Sequence, residues 1–200
     1  MRKKLVWIMG AMASGKSTQR KLLCERLSDG IEPDLIKKDI GDLKVIYSSY
    51  SDIVGMPGKA STNQCDGLDS SFGAMKKVGS LKATEICIKK HEITIVEGSQ
   101  TTFLWVDELS NLCRKHNCNF YIIHLNLQDE VVIDRLYHRN EVKGTEVTDK
   151  KIKNVLAKNN QYYNIYEKIK DREDIIKKRI NAKKSVEKVF DDIVDFVFSD

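Results

Sequence analysis

Eight consecutive residues constrain this chain more than any other feature. Gly10-Ala11-Met12-Ala13-Ser14-Gly15-Lys16-Ser17 fits G-x-x-x-x-G-K-[ST] at every fixed position. The run before it, Leu5-Val6-Trp7-Ile8-Met9, is short and apolar and reads as a buried parallel strand. The residues after it, from about Lys16 to Leu27, put Leu22, Leu23 and Leu27 on one face of a helix. A strand, a glycine-bounded turn and a helix in that order aim the turn's N–H groups and the positive helix end at one point. Such a point holds a phosphate. Lys16 adds a mobile charge for the β- and γ-phosphates, and Ser17 offers a hydroxyl to Mg²⁺. Gly10, Ala13, Ser14, Gly15, Lys16, Ser17 and Thr18 are therefore the expected contacts of a nucleoside triphosphate, ATP or GTP.

Two hundred residues make one domain, and a 41% hydrophobic fraction against 32% charged is an ordinary globular balance. Disorder and a disulfide scaffold are poor readings, and no run of apolar residues is long enough to span a membrane. Lys and Arg outnumber Asp and Glu by 34 to 29, giving +5, a mild excess that suits polyanionic substrates. The five cysteines form no CxxC pair, and Cys113, His116 and Cys118 match no common zinc spacing, so reduced thiols are expected. Arg2-Lys3-Lys4, an apolar run and Ala11-Met12-Ala13 imitate a secretion signal. Cleavage there would sever the phosphate loop from its strand, so the expected location is cytoplasmic.

Ile93–Val96 and Phe120–Leu125 are further buried-strand runs, separated by helical patterns near 72–90 and 102–114. This alternation predicts an α/β fold, a parallel sheet with helices on both faces. Val45-Ile46-Tyr47 and Ile53-Val54 read as a short hairpin across residues 48–52, followed by an aperiodic polar stretch over 55–70. From Thr148 onward the pattern reads as helical. Residues 150–184 hold 12 Lys or Arg against 4 Asp or Glu, net +8, and Val186, Val189, Phe190, Ile193, Val194 and Val197 recur at helical spacing.

Other positions carry chemistry by type and place. Glu97 ends a buried strand, where ligands of open α/β sheets bind, and could hold the hydration shell of Mg²⁺. Arg135 and Arg139 lie at i, i+4 on a helix before a polar segment containing Gly144, which suits a lid closing on the triphosphate. In the polar stretch, Asp66 or Asp69 could take the proton of an acceptor hydroxyl, and Asn63 or Gln64 could read a base edge. Asp39 is a rival base, and the residue types leave the three open. Gln100 and Phe103, close after Glu97, are further acceptor contacts, with Phe103 or Trp105 able to stack on a base. The N-K-x-D pattern that reads guanine is absent after a strand, which leaves a small phosphotransferase.

On Gly10–Thr18, Val96-Glu97-Gly98, Arg135 and Arg139, the chain resembles the small P-loop kinases of the nucleoside monophosphate kinase-like group. The resemblance covers roughly residues 3–165. It implies a three-layer fold with a five-stranded parallel sheet, an acceptor-binding insert at about 31–80, a lid at about 135–150, and C-terminal helices over 150–200. It implies ATP and Mg²⁺ as well. Between Leu27 and Ser80 there is no Arg to grip an acceptor's own phosphate. The 63–69 loop and the Leu136–Asn140 segment resemble phage-type kinases, some of which phosphorylate hydroxymethylpyrimidines in DNA. The expectation is thus an ATP-dependent kinase of a nucleotide-type acceptor, with a DNA hydroxymethylpyrimidine favoured. A free nucleoside or nucleoside monophosphate is the alternative, and a non-catalytic nucleotide-binding module is the rival from another class.

Overall fold

The structure, a computed structural model of the chain, describes residues 2–60, 67–98 and 104–199. The phosphate-loop strand is β1 (Lys3–Gly10), buried from Lys4 onward. It feeds α1 (Lys16–Leu27), then β2 (Asp34–Ile40), β3 (Leu43–Tyr50) and β4 (Val54–Pro57). A 3-10 turn (Leu68–Ser70) leads into α2 (Phe72–Lys90), followed by β5 (Ile93–Glu97), α3 (Leu104–Lys115), β6 (Cys118–Asn126), α4 (Asp129–Val142) and α5 (Asp149–Ile169). The chain closes with β7 (Ile176–Asn181) and α6 (Val186–Phe198).

The strands form one sheet in the order β2-β3-β4-β5-β1-β6-β7. From β4 to β7 all neighbours are parallel, while β3 runs antiparallel to β4 and β2 antiparallel to β3. The expected five parallel strands are present. The sheet is larger because the β2–β3 hairpin extends one edge. The β3–β4 hairpin, with Tyr50 opposite Val54, is the one read in the sequence.

Alternating residues of β1 separate two cores. Leu5, Trp7 and Met9 pack with α2, α3 and α5, while Val6 and Ile8 pack with α1, α4 and α6. Val189, Ile193 and Val197 form the buried stripe of α6, each worth about 1.5–3 kcal/mol on full burial. The helical reading from Thr148 onward fails at β7. Ile-Lys-Lys-Arg-Ile-Asn is an edge strand whose charged side chains stay near water, so its composition imitates a solvated helix. Among the described residues no helix is long and apolar enough to cross a membrane.

Candidate active site

The register sets the site's frame. Ile8 of β1 lies beside Glu97 of β5, and Gly10 beside Leu125 of β6, so the phosphate loop and the Glu97 carboxylate leave the sheet at its carboxyl edge. A Cβ on Gly10 would lie 2.8 Å from the Leu125 carbonyl oxygen, so only glycine lets the loop turn there. Ala13 (φ 65°) and Gly15 (φ 92°) are both left-handed. For Ala13 that conformation costs about 1–3 kcal/mol, the kind of strain that accompanies a ligand cradle. Gly15 caps α1 with no side chain, and the first turn carries no acid, so the helix offers its amide donors uncapped. The Ser14 hydroxyl is buried in the loop without a hydrogen-bond partner among the described residues. These features fit a polyphosphate.

Lys16 donates from Nζ to the carbonyls of Gly10 and Ala11, each at 2.9 Å. Burial holds its amine below the ordinary lysine range. Glu97 and Asp69 oppose that shift, and Arg139 adds to it, so all three charges lie within electrostatic reach of Lys16. Ser17 donates from Oγ to Glu97 Oε1 at 2.7 Å. The other carboxylate oxygen of Glu97 lies 3.3 Å from Arg20 Nε, with both side chains almost fully buried. Removing one partner of such a buried pair costs about 3–5 kcal/mol.

Asp69 reaches the site through close backbone packing. Gly67 (φ 61°) lies so near β5 that a Cβ there would sit 2.6 Å from the Glu97 carbonyl oxygen. A Cβ on Gly98 would in turn meet Asp69 Oδ1 at 3.2 Å. From the opposite side, Arg135 donates to the Ala13 carbonyl at 3.4 Å and to the Ala182 carbonyl at 2.8 Å, which fixes α4 over the loop. Arg135 and Arg139 are both half-buried. Among the described residues no group of three His, Cys, Asp or Glu could hold a metal. Ser17 and Glu97 would thus supply only part of an Mg²⁺ shell, with phosphate oxygens and water completing it.

The structure brings together Lys16, Ser17, Glu97, Asp69, Arg135 and Arg139. It does not bring Asp39 to them. Asp39 is exposed on β2, opposite Lys44, four strands and roughly 19 Å from β1. Thr18 is exposed at the start of α1. Asn63, Gln64, Asp66, Gln100 and Phe103 lie outside the described residues.

Sequence reasoning missed Arg20 and Tyr162. Arg20 stands one turn after Lys16 on the buried face of α1, which is lined by Lys16, Gln19, Arg20, Leu23 and Cys24. The signal was an arginine in phase with Leu23 and Leu27. Tyr162, buried in α5, donates its hydroxyl to the Gly98 carbonyl at 3.2 Å and so pins α5 to the site. Beside it opens a cavity of about 440 Å³, lined by Met12 of the phosphate loop and by Lys151, Asn154, Lys158 and Gln161.

No family model and no curated protein matches the chain. Among solved structures it is similar to deoxyadenosine kinase from M. mycoides with the products dCMP and a flexible dCDP bound. The TM-score is 0.53 and the identity 14%, over 98% of each chain. It is also similar to the same kinase with bound dCTP, at TM-score 0.52 and 15% identity, over 98% of this chain and 100% of that one. At such identities the likeness establishes the fold: a mostly parallel seven-stranded sheet flanked by helices, of the kind found in those P-loop kinases.

Proposed function

We propose that this chain is a kinase that transfers the γ-phosphoryl group of ATP to a hydroxyl of a small nucleoside-type acceptor. The observation that carries this reading is the convergence of the phosphate loop, the Ser17–Glu97 pair, Asp69 and two arginines at one sheet edge.

In this mechanism the loop amides and Lys16 hold the triphosphate. Lys16 exchanges its bonds to the Gly10 and Ala11 carbonyls for bonds to phosphate oxygens. Ser17 and Glu97 would hold Mg²⁺, Glu97 largely through water, and the ion would supply positive charge beside the phosphates. Arg135 and Arg139 stabilise charge on the moving phosphoryl group. Asp69 accepts the proton of the acceptor hydroxyl as the new O–P bond forms and the bond to ADP breaks. The cavity beside Met12, lined among the described residues by Lys151, Asn154, Lys158 and Gln161, would take part of the bound nucleotide.

Support for a small acceptor comes from the structural neighbours, whose bound molecules are the nucleotides dCMP, dCDP and dCTP. Little supports a DNA track along residues 150–184. That segment is divided between α5, a turn and β7. Within it Arg172 pairs with Asp107 and Asp174, Arg179 with Glu167, and Lys184 with Asp192. The test is ADP release with a panel of nucleosides and nucleoside monophosphates, run beside Lys16→Ala. Acceptor-dependent ADP from the wild type, lost in the variant, is the expected result. ADP release that ignores every acceptor would overturn the reading.

A further inference from the structure

The buried face of α1 holds more than the residue that greets the phosphates. Lys16 and Arg20 are four residues apart, so they lie one above the other, and both are buried against the carboxyl end of β5. Glu97 divides its oxygens between the two turns of this helix. One accepts from Ser17 Oγ at 2.7 Å, and the other faces Arg20 Nε at 3.3 Å. Behind Arg20 lie the thiol of Cys24 and the phenol of Tyr50, both close enough to feel its charge. Burial pushes the Cys24 thiol up to about 11 and also raises the Tyr50 phenol, so both are neutral near pH 7. As neutral groups they do not compete with Glu97 for the charge of the guanidinium.

We infer that Arg20 is a positioning residue, which holds the Glu97 carboxylate from behind so that it and Ser17 are aimed at the Mg²⁺ that accompanies the nucleotide. This rests on the kinase reading but goes beyond it, because it gives Arg20 a role exercised through Glu97. A carboxylate held by an ion pair on one side cannot rotate away from the ion on the other.

The structure also supplies an unusual test. Arg20 and Tyr50 line a cavity of about 260 Å³ that opens between α1 and the 30–33 turn, beside Lys21, Ile31, Pro33 and Ala60. In Arg20→Ala, a free guanidinium ion can enter by this route and take the vacated place.

The experiment measures ADP binding by calorimetry, with EDTA and across a Mg²⁺ titration, for the wild type, Arg20→Ala and Arg20→Lys, each checked for a cooperative melt. The expected result for Arg20→Ala is metal-free ADP affinity like the wild type's and a Mg²⁺ requirement raised about 10–100-fold. Arg20→Lys should fall between, and millimolar guanidinium chloride should lower the requirement of the alanine variant while leaving the wild type unaffected. Arg20→Lys keeps the test open if the alanine variant does not fold. A folded variant with an unchanged Mg²⁺ requirement overturns the inference, as does a requirement that guanidinium fails to lower. Those outcomes leave nucleotide binding by the wild type standing. A wild type that binds no ADP overturns the kinase reading and the inference together.

Discussion

The Ser17 hydroxyl donates to Glu97 Oε1 across 2.7 Å, joining residues 80 positions apart in the chain. That bond places the first turn of α1 against the end of β5 and leaves Ser17 exposed beside a buried carboxylate. A pairing of one accessible hydroxyl and one fixed anion suits the proposed Mg²⁺ position. In Glu97→Gln, turnover at saturating ATP should fall about 10–100-fold and the Mg²⁺ optimum should rise. Steady-state rates across a Mg²⁺ series check this. An unchanged optimum would remove Glu97 from the metal's surroundings.

The two arginines of α4 should separate by what they hold. Arg135 bonds the Ala13 and Ala182 carbonyls, so Arg135→Ala should lower both the melting temperature and kcat. Arg139, felt by Lys16 through its charge, should lower kcat with little effect on melting when changed to Ala. Cations placed on a transferring phosphoryl group reach about 10³–10⁵ in kcat in favourable cases, and a loss of at least the lower order is expected. Equal melting shifts in the two variants would contradict the division.

Gly67 and Gly41 are both left-handed, at φ 61° and 57°, but only Gly67 is crowded. Gly41→Ala meets open space and should cost only the conformational strain, about 1–3 kcal/mol, with activity kept. In Gly67→Ala the new methyl meets the Glu97 carbonyl oxygen, so the segment carrying Asp69 must shift. Chemistry that depends on that aspartate should then drop on the order of 10²-fold, the cost of a misplacement near 1 Å. Kinetics and melting curves of the two variants, compared side by side, check this. Activity retained in Gly67→Ala would take the base role away from Asp69.

His124, buried in β6, provides a pH dependence of stability. Burial holds its imidazole down to about 3, and the neighbouring Arg179 charge adds to the effect, whereas an unfolded histidine titrates near 6.5. Below pH 6.5 the unfolded chain takes up a proton that the folded chain refuses. Stability is therefore lost progressively as pH falls from 6.5 towards 3. Between pH 6.5 and 5 the loss from this residue is about 2 kcal/mol. Urea midpoints should show that slope in the wild type and a flatter one in His124→Gln. Parallel curves would contradict it.

The sequence and the structure agree where local chemistry dictates the fold. The phosphate loop, α1, the apolar runs of β1, β5 and β6, and the α6 stripe were all legible from spacing alone. Two strands were not. β2 is exposed along most of its length and carries Lys37, Lys38 and Asp39, so no buried alternation marks it. β7 hides its pattern under Lys177, Lys178 and Arg179, because an edge strand keeps such side chains in water. The site was legible as residue types and not as partners. Lys16, Ser17 and Glu97 follow from motif and strand end. Arg20 sits on a helix face where apolar residues are expected, and its ion-pair partner is a carboxylate 77 positions away. Asp39 and Asp69 could not be separated in the sequence, because only sheet order sets the first roughly 19 Å from β1 and only the packing of the 3-10 turn brings the second to Gly98.

The central claim is phosphoryl transfer to a small acceptor, and label transfer tests it most directly. γ-Labelled ATP is incubated with the chain and two acceptor sets: free nucleosides and monophosphates, and duplex DNA with hydroxymethylated, methylated or unmodified pyrimidines. The account predicts label in a free nucleoside or nucleotide, absent with Lys16→Ala. Label confined to hydroxymethylated DNA, or entering no acceptor while ATP still binds, would contradict it.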